Sequence, residues 1–233
     1  MKKIFITFGT TGEFEKRALR LLSLIKNLNI FNQLILITEN DLKTDKYFWN
    51  KHSTFIENNN RGYGYWLWKS YIIYKYLNKI NDNDILLYCD ASFVFYSNKN
   101  KFIDLFTNIK KTYIIGSFCR TFCLEYVWNK MDLIEHLNMN NDLYLNTRQR
   151  QAGAIMILKN NKTVQLINEW YSLSSIYHLI DDSSSNITNK NGFIEHRHDQ
   201  SIFSLLTKKY NIYSNIDLFD FLNIWVLKHS RKI

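Results

Sequence analysis

The chain contains no proline, seven glycines and three cysteines in 233 residues, and each shortage excludes something. With so few breakers there is no Pro/Gly/Ser-rich linker to divide it, so residues 1–233 are expected to form one domain with one sizeable core. Cys89, Cys119 and Cys123 are too few and too irregular for the disulfide framework of a secreted protein, and a reducing cytoplasm fits them better. Cys119 and Cys123 lie four apart, but no nearby Cys/His pair completes a zinc site, so they read as buried thiols. No apolar stretch reaches the roughly 18 residues of a membrane span. The start, MKKIFITFG, is basic and briefly apolar but lacks the long apolar core and cleavage site of a signal peptide, and it reads as a first strand. Helix-turn-helix, RNP and zinc-finger signatures are missing too. Lys and Arg outnumber Asp and Glu by 30 to 21, a formal charge of +9, yet nucleic acid is not an expected partner. The excess favours another anion: a nucleotide diphosphate or acidic lipid headgroups.

What is abundant is apolar and aromatic: 46% of residues are hydrophobic and 16% are Phe, Trp or Tyr, types that build cores and line sugar and base sites. Asn, Lys and Ile are read as the mark of an AT-rich coding sequence, and the Asn-rich stretches carry no further inference. The stretch Arg61 to Ser92, RGYGYWLWKSYIIYKYLNKINDNDILLYCDAS, has three pieces. A Gly/aromatic turn comes first, then a helix with Trp66, Ser70, Ile73, Leu77 and Ile80 on one stripe. Third is Ile85–Cys89, apolar without alternation, which suits a strand covered on both faces in a parallel α/β sheet. It stops at Asp90. Ligands of open α/β sheets sit outside the carboxyl ends of strands, where Asp90 would project, although a turn-forming or capping Asp fits the same position.

These residues carry a resemblance. Arg61, Gly62, Gly64, Tyr65, Trp66, Trp68 and Lys69, followed by Tyr88, Asp90 and Ala91, match a pattern R-G-x-G-Y-W-x-W-K-P, helix, Y-x-D-A-G. The chain thus resembles a family of bacterial and viral glycosyltransferase-like proteins of the glycosyltransferase A type. Ser70 replaces the family's proline, and Ser92 stands where many enzymes of this fold carry the second Asp of an Asp-x-Asp metal motif. The resemblance implies a single α/β domain with a mostly parallel central sheet flanked by helices. It also implies a nucleotide-diphosphate-sugar donor, a glycan or glycolipid acceptor, and a divalent cation, Mn²⁺ or Mg²⁺, held by Asp90, Ser92 and His229. Ser92 leaves that metal open; the alternative is that basic groups carry the charge without it.

The remaining candidates follow the chain. After the first strand, Lys3 to Phe8, the turn Gly9-Thr10-Thr11-Gly12 fits neither the dinucleotide nor the P-loop pattern. By resemblance Thr7, Phe8, Gly9 and Thr10 would lie near base and ribose; an ordinary strand-to-helix turn is the other reading. Arg61 suits bidentate pairing with phosphate and Lys69 adds a point charge, with Trp66 beside them, against a surface ion pair and a solvated lysine as alternatives. Leu124 to Leu137 reads as one helix; by resemblance Glu125, Trp128 and Lys130 match an E-x-x-W-x-K segment. Gln151, Ala152 and Gly153 precede a strand and permit close approach to the donor sugar. Ile180 to Gly192 is polar and reads as a mobile loop able to close over the acceptor.

Before the next helix stands EHRHDQS, in which Asp199 or Ser201 can serve as a cap. By resemblance, H-x-D-Q-S-x-F instead places Asp199 and Gln200 near the reacting carbon: Asp199 as base for an inverting reaction, or both stabilising positive charge for a retaining one. His196 and His198 either share that role or bond the loop backbone. At the end, His229 and Arg231 are candidates for the metal and the diphosphate. Phe219, Phe221, Ile224 and Trp225 beside this basic tail also allow peripheral contact with the inner face of a membrane. The expected activity is hexosyltransferase-like, in surface polysaccharide biosynthesis. A non-catalytic sugar-nucleotide- or glycan-binding protein of the same fold is the alternative.

Overall fold

The computed structural model describes residues 1–96 and 98–226. Its strands are β1 (Lys3–Gly9), β2 (Gln33–Thr38), β3 (Ile85–Cys89), β4 (Phe93–Phe95), β5 (Ile114–Phe118), β6 (Arg150–Leu158), β7 (Tyr213–Asp217) and β8 (Ile224–Val226). Six form one sheet in the order β2-β1-β3-β6-β5-β7, and β4 pairs with β8 in a two-stranded ribbon. The pairings β1–β2, β1–β3 and β5–β7 are parallel, while β6 runs against both its neighbours. That reversal matters. It brings the first residues of β6, from Gln151 to Ala154, alongside the last residues of β3, with Cys89 opposite Ala154.

Both faces of the sheet are covered, which explains the unbroken apolar run in β3. Leu86 and Tyr88 belong to one core with Ile4, Ile6 and Phe8, and Ile85, Leu87 and Cys89 to the other with Phe5. The period-2 alternation thus separates two hydrophobic layers rather than core from solvent. The first layer is closed by the helices Lys46–Asn58, Leu67–Lys79, Asn161–Ser174 and His198–Tyr210, the second by Glu13–Asn27, Lys99–Thr112 and Leu218–Leu222.

Three expectations are corrected. Leu124–Leu137 is not one helix but two, Glu125–Trp128 and Met131–His136. Asn129 and Lys130 between them are extended and buried. The Asn129 amide bonds back to Glu125, and Lys130 Nζ leaves the helix to reach the His178 carbonyl at 2.7 Å and Asp181 at 3.0 Å. Buried polar groups found better partners off the helix. The expected free lid is held by hydrogen bonds as well: besides the Lys130 contacts, Asp132 accepts from the amides of Asn186 and Ile187 at 2.9 and 3.0 Å. Finally, the apolar groups near the C-terminus do not form one surface. Phe219 packs edge-on against Phe93 and Ile224 is buried, whereas Trp225 is 62% exposed.

Candidate functional site

The turn before the Leu67–Lys79 helix has unusual backbone. Gly62, Tyr63, Gly64, Tyr65 and Trp66 all have positive φ, so the chain makes a short left-handed turn, closed by amides of Tyr65 and Trp66 on the carbonyls of Arg61 and Gly62. Each non-glycine residue there costs about 1–2 kcal/mol, and three are present. Gly64 is required twice: by its φ of 83°, and because an added Cβ would lie 2.7 Å from Ile56. The Trp68 indole donates to the Gly62 carbonyl at 2.9 Å, and its ring stacks on Phe8 at 3.9 Å. The strained turn sets Trp66 as a wall and starts the helix with Lys69 facing inward.

Lys69 joins the site. Its ammonium lies 3.3 Å from Asp90 Oδ1 and 3.1 Å from Asp199 Oδ2, and its side chain is 5% exposed. Asp90 ends β3, and its amide donates to the Gly153 carbonyl at 2.8 Å. Tyr88, two residues earlier on the same face of the strand, donates its hydroxyl to Asp90 Oδ1 at 2.5 Å. Burial, together with the Asp90 charge, pushes the Tyr88 phenol up. Asp199 lies in the first turn of its helix, and the Lys69 contact at its Oδ2 has ion-pair distance without the alignment of a hydrogen bond. Burial is the main reason its pKa rises to about 6; Lys69 opposes the rise and Asp90 adds to it. For Lys69, burial alone would lower the pKa, but the two carboxylates outweigh it and hold the ammonium above its ordinary value.

Two cavities meet at this cluster, sharing Trp66 and Asp90. One, of about 290 Å³, is lined by Lys69, Gln151, Gly153, Asp199 and Gln200, with Arg61 among the side chains that complete it. The other, of about 370 Å³, is lined by Phe8, Thr10, Tyr63 and Ser92. Gly153 leaves space that no other residue would: an added Cβ would lie 2.7 Å from Phe93 and 3.0 Å from Asp90 Oδ2. Gln151 donates to the Phe118 carbonyl at 3.0 Å, and Gln200 to Gln149 at 2.7 Å.

Several candidates sit differently from expectation. Thr7 is fully buried and donates to the Cys89 carbonyl at 2.8 Å, so it braces β1 against β3 instead of facing a ligand. Gly9 is where the following helix crowds the strand; an added Cβ would lie 2.7 Å from the Phe14 carbonyl. Arg61 is engaged by Asp182 at 2.9 Å and Glu195 at 3.6 Å, and Lys69 is no free phosphate-seeking cation. Neither Asp199 nor Ser201 caps its helix, whose N-cap is Arg197 without a side-chain bond. His196 bonds the Leu179 carbonyl, and burial lowers its pKa to about 3. His198, also lowered by burial, bonds the Ile180 carbonyl and stacks on Trp66. His229 and Arg231 lie outside the described residues. Phe93 and Arg197 line the 290 Å³ cavity without having been expected to; nothing in their spacing marks them.

Among the described residues the expected donors for a divalent cation are Asp90 and Ser92 alone, His229 lying outside them, and that pair does not fit a resident ion. Among the described residues no group of three or more His, Cys, Asp or Glu is placed to hold one. Asp90 Oδ1 is already occupied by the Tyr88 hydroxyl and faces the Lys69 ammonium, whose charge would oppose a second cation beside it. Ser92 adds only a hydroxyl.

No known family pattern matches the chain, and no curated protein matches it in sequence. Among solved structures it is similar to mouse xyloside xylosyltransferase 1 in its apo form, with 11% identity and a TM-score of 0.52 over 93% of this chain and 86% of that one. It is also similar to the bifunctional glycosyltransferase WbbM, with 11% identity and a TM-score of 0.48 over 92% of this chain and 38% of that one. A third is the galactosyltransferase LgtC in complex with donor and acceptor sugar analogues, with 12% identity and a TM-score of 0.44 over 90% of this chain and 72% of that one. The first of these likenesses establishes the fold: an α/β domain of the glycosyltransferase A type, with a mostly parallel central sheet flanked by helices.

Proposed function

We propose that the protein transfers a sugar from a nucleotide-diphosphate-sugar donor to a hydroxyl of a glycan or glycolipid acceptor, as in surface polysaccharide assembly. The observation that carries this reading is the Asp90–Lys69–Asp199 cluster at the carboxyl edge of β3, where two cavities share a wall. The nucleotide takes the 370 Å³ cavity, whose wall includes the aromatic side chains Tyr63 and Trp66, and the sugar and acceptor hydroxyl meet in the 290 Å³ one. Asp199, with a pKa of about 6, is ionised at neutral pH and more basic than an ordinary carboxylate, which suits a general base. In the inverting course it takes the acceptor proton while the acceptor oxygen bonds to the anomeric carbon. The anomeric C–O bond breaks, and its electron pair leaves with the diphosphate. Lys69, held by Asp90 and Asp199, and Arg61, held by Asp182 and Glu195, are cations that border the 290 Å³ cavity. Each gives up part of that pairing to meet the charge in place of a resident Mn²⁺ or Mg²⁺. Trp225 and Val226, both exposed beside the basic C-terminal sequence, suit peripheral contact with an anionic membrane face.

The test is nucleotide release from a panel of UDP- and GDP-sugars with candidate acceptors, with and without EDTA. Release that persists in EDTA and falls at least about 100-fold in Asp199→Asn supports the reading. The second reading, a sugar-nucleotide-binding protein without turnover, is favoured by Ser92 and the thin donor set. Binding with no release from any pair establishes it instead.

A further inference from the structure

A larger cavity lies elsewhere, a groove of about 720 Å³ at the same edge of the sheet, beyond β5, β6 and β7. Arg150, the first residue of β6, lines it. Its guanidinium stacks over Tyr213 at 4.3 Å, and its Nε and Nη1 are shielded from water with no hydrogen-bond partner. A cation so placed normally has a carboxylate. The nearest candidates are spent. Glu125, wholly buried, pairs with Lys208 and also accepts from Ser204. Asp217 gives one oxygen to the Phe118 amide and the other to the amides of Phe219 and Asp220. Locally, Glu125 is shared between Lys208 and Arg150, and the Asp217 carboxylate is taken up by backbone amides. With its face covered by Tyr213, the guanidinium has only in-plane donors to offer a planar or tetrahedral anion. The unpartnered Nε and Nη1 become available to one once the side chain turns out of its shielded position.

The lining also holds groups that recognise sugars, the aromatic Tyr144, the amides Asn211 and Asn215 and the carboxylate Asp220, together with two further cations, Arg148 and Lys208. The groove also adjoins the reaction cavity. Gln151, next in the chain after Arg150, lines that cavity and donates to the carbonyl of Phe118, which lines the groove. We infer that the groove binds an anionic sugar unit, its carboxylate or phosphate on Arg150 and its hydroxyls on the amides and Asp220, and that this unit belongs to the acceptor. Only the assignment to the acceptor rests on the glycosyl-transfer reading; the binding does not.

Saturation-transfer NMR with glucose, glucuronic acid, glucose 6-phosphate and inorganic phosphate, without any donor, tests it. At least one of the two anionic sugars should bind ten-fold or more tightly than glucose and than phosphate alone. Whichever does distinguishes a uronate from a sugar phosphate. Arg150→Met should abolish that preference while leaving UDP affinity unchanged, which also reports that the variant is folded. Tyr144→Ala, at the rim, should weaken both sugars without removing the preference for charge. Equal binding of glucose and the anionic sugars, binding of phosphate alone as tightly, or a preference that survives Arg150→Met overturns the inference. Since no turnover is read, this outcome is independent of whether Asp199→Asn abolishes nucleotide release.

Discussion

Asp199 illustrates how one burial can serve chemistry at the expense of stability. Its pKa of about 6 lies above the ordinary 3.8, so the folded protein holds the proton more tightly than the unfolded chain. The contribution to stability is complete below about pH 4 and is lost as pH rises through about 6, and ionising the group costs the fold roughly 3 kcal/mol at neutral pH. In the proposed reaction activity would run the other way, because only the ionised carboxylate accepts a proton. We expect kcat/KM to rise with pH through about 6 and then level off. Urea denaturation at about pH 5 and about pH 8 should show Asp199→Asn gaining stability relative to the native chain as pH rises, because the buried neutral His52 and His196 add the same opposite trend to both proteins. A pH–rate profile without an acidic limb, or a variant with the parent's slope, would remove Asp199 from the role of base. Half of this was legible in the sequence: an apolar run without alternation that stops at an acid put Asp90 at the carboxyl end of a strand, where ligands of such sheets sit. Lys69 was named as a point charge for phosphate, but its pairing with two carboxylates was not legible, because a lysine in a helix normally reaches water. Here the first half of its helix, from Leu67 to Ile73, is buried on every side, so the residue had nowhere to go but between the carboxylates.

At the scale of elements, legibility tracks how local the cause is. The strand β3 could be read from its own five residues because both its faces meet hydrocarbon. The break at Asn129–Lys130 could not, since the atoms that draw Lys130 away lie some fifty positions further on, in the segment from His178 to Ser183. That segment matters to the site. It carries Asp182, which holds Arg61, and Ile180, whose carbonyl orients His198. Asp132 secures it from the other side with both carboxylate oxygens, its pKa lowered by bonds from Asn186, His178, Ser185 and Ile187 against the effect of burial. Bonds to a charged acceptor contribute about 1.5–3 kcal/mol. Asp132→Asn should therefore raise the hydrogen-exchange rates of the Asn186 and Ile187 amides at least about ten-fold, with β3 amides unchanged. Unchanged protection at Asn186 and Ile187 would mean that the loop is held by something other than Asp132.

For the whole molecule, the comparison of partners turns on charge and on linkage. A formal charge of +9 attracts any polyanion, so affinity for a nucleotide is informative only if it is specific and coupled to folding. A ligand that binds the folded chain alone stabilises it by about 2.7 kcal/mol at a hundred-fold excess over its Kd. For a chain of this length that amounts to a rise in Tm of about 5–10 °C. We expect UDP or GDP at such an excess to produce that shift, and inorganic phosphate at equal concentration to produce little of it, because phosphate cannot stack on the rings of the 370 Å³ cavity. With Lys69 already beside Asp90, EDTA should leave the nucleotide's shift intact, and Mn²⁺ should add no more to it than salt of equal ionic strength. A shift that vanishes in EDTA and returns with Mn²⁺ would place a metal at Asp90 after all and reassign Lys69 to holding the two carboxylates apart.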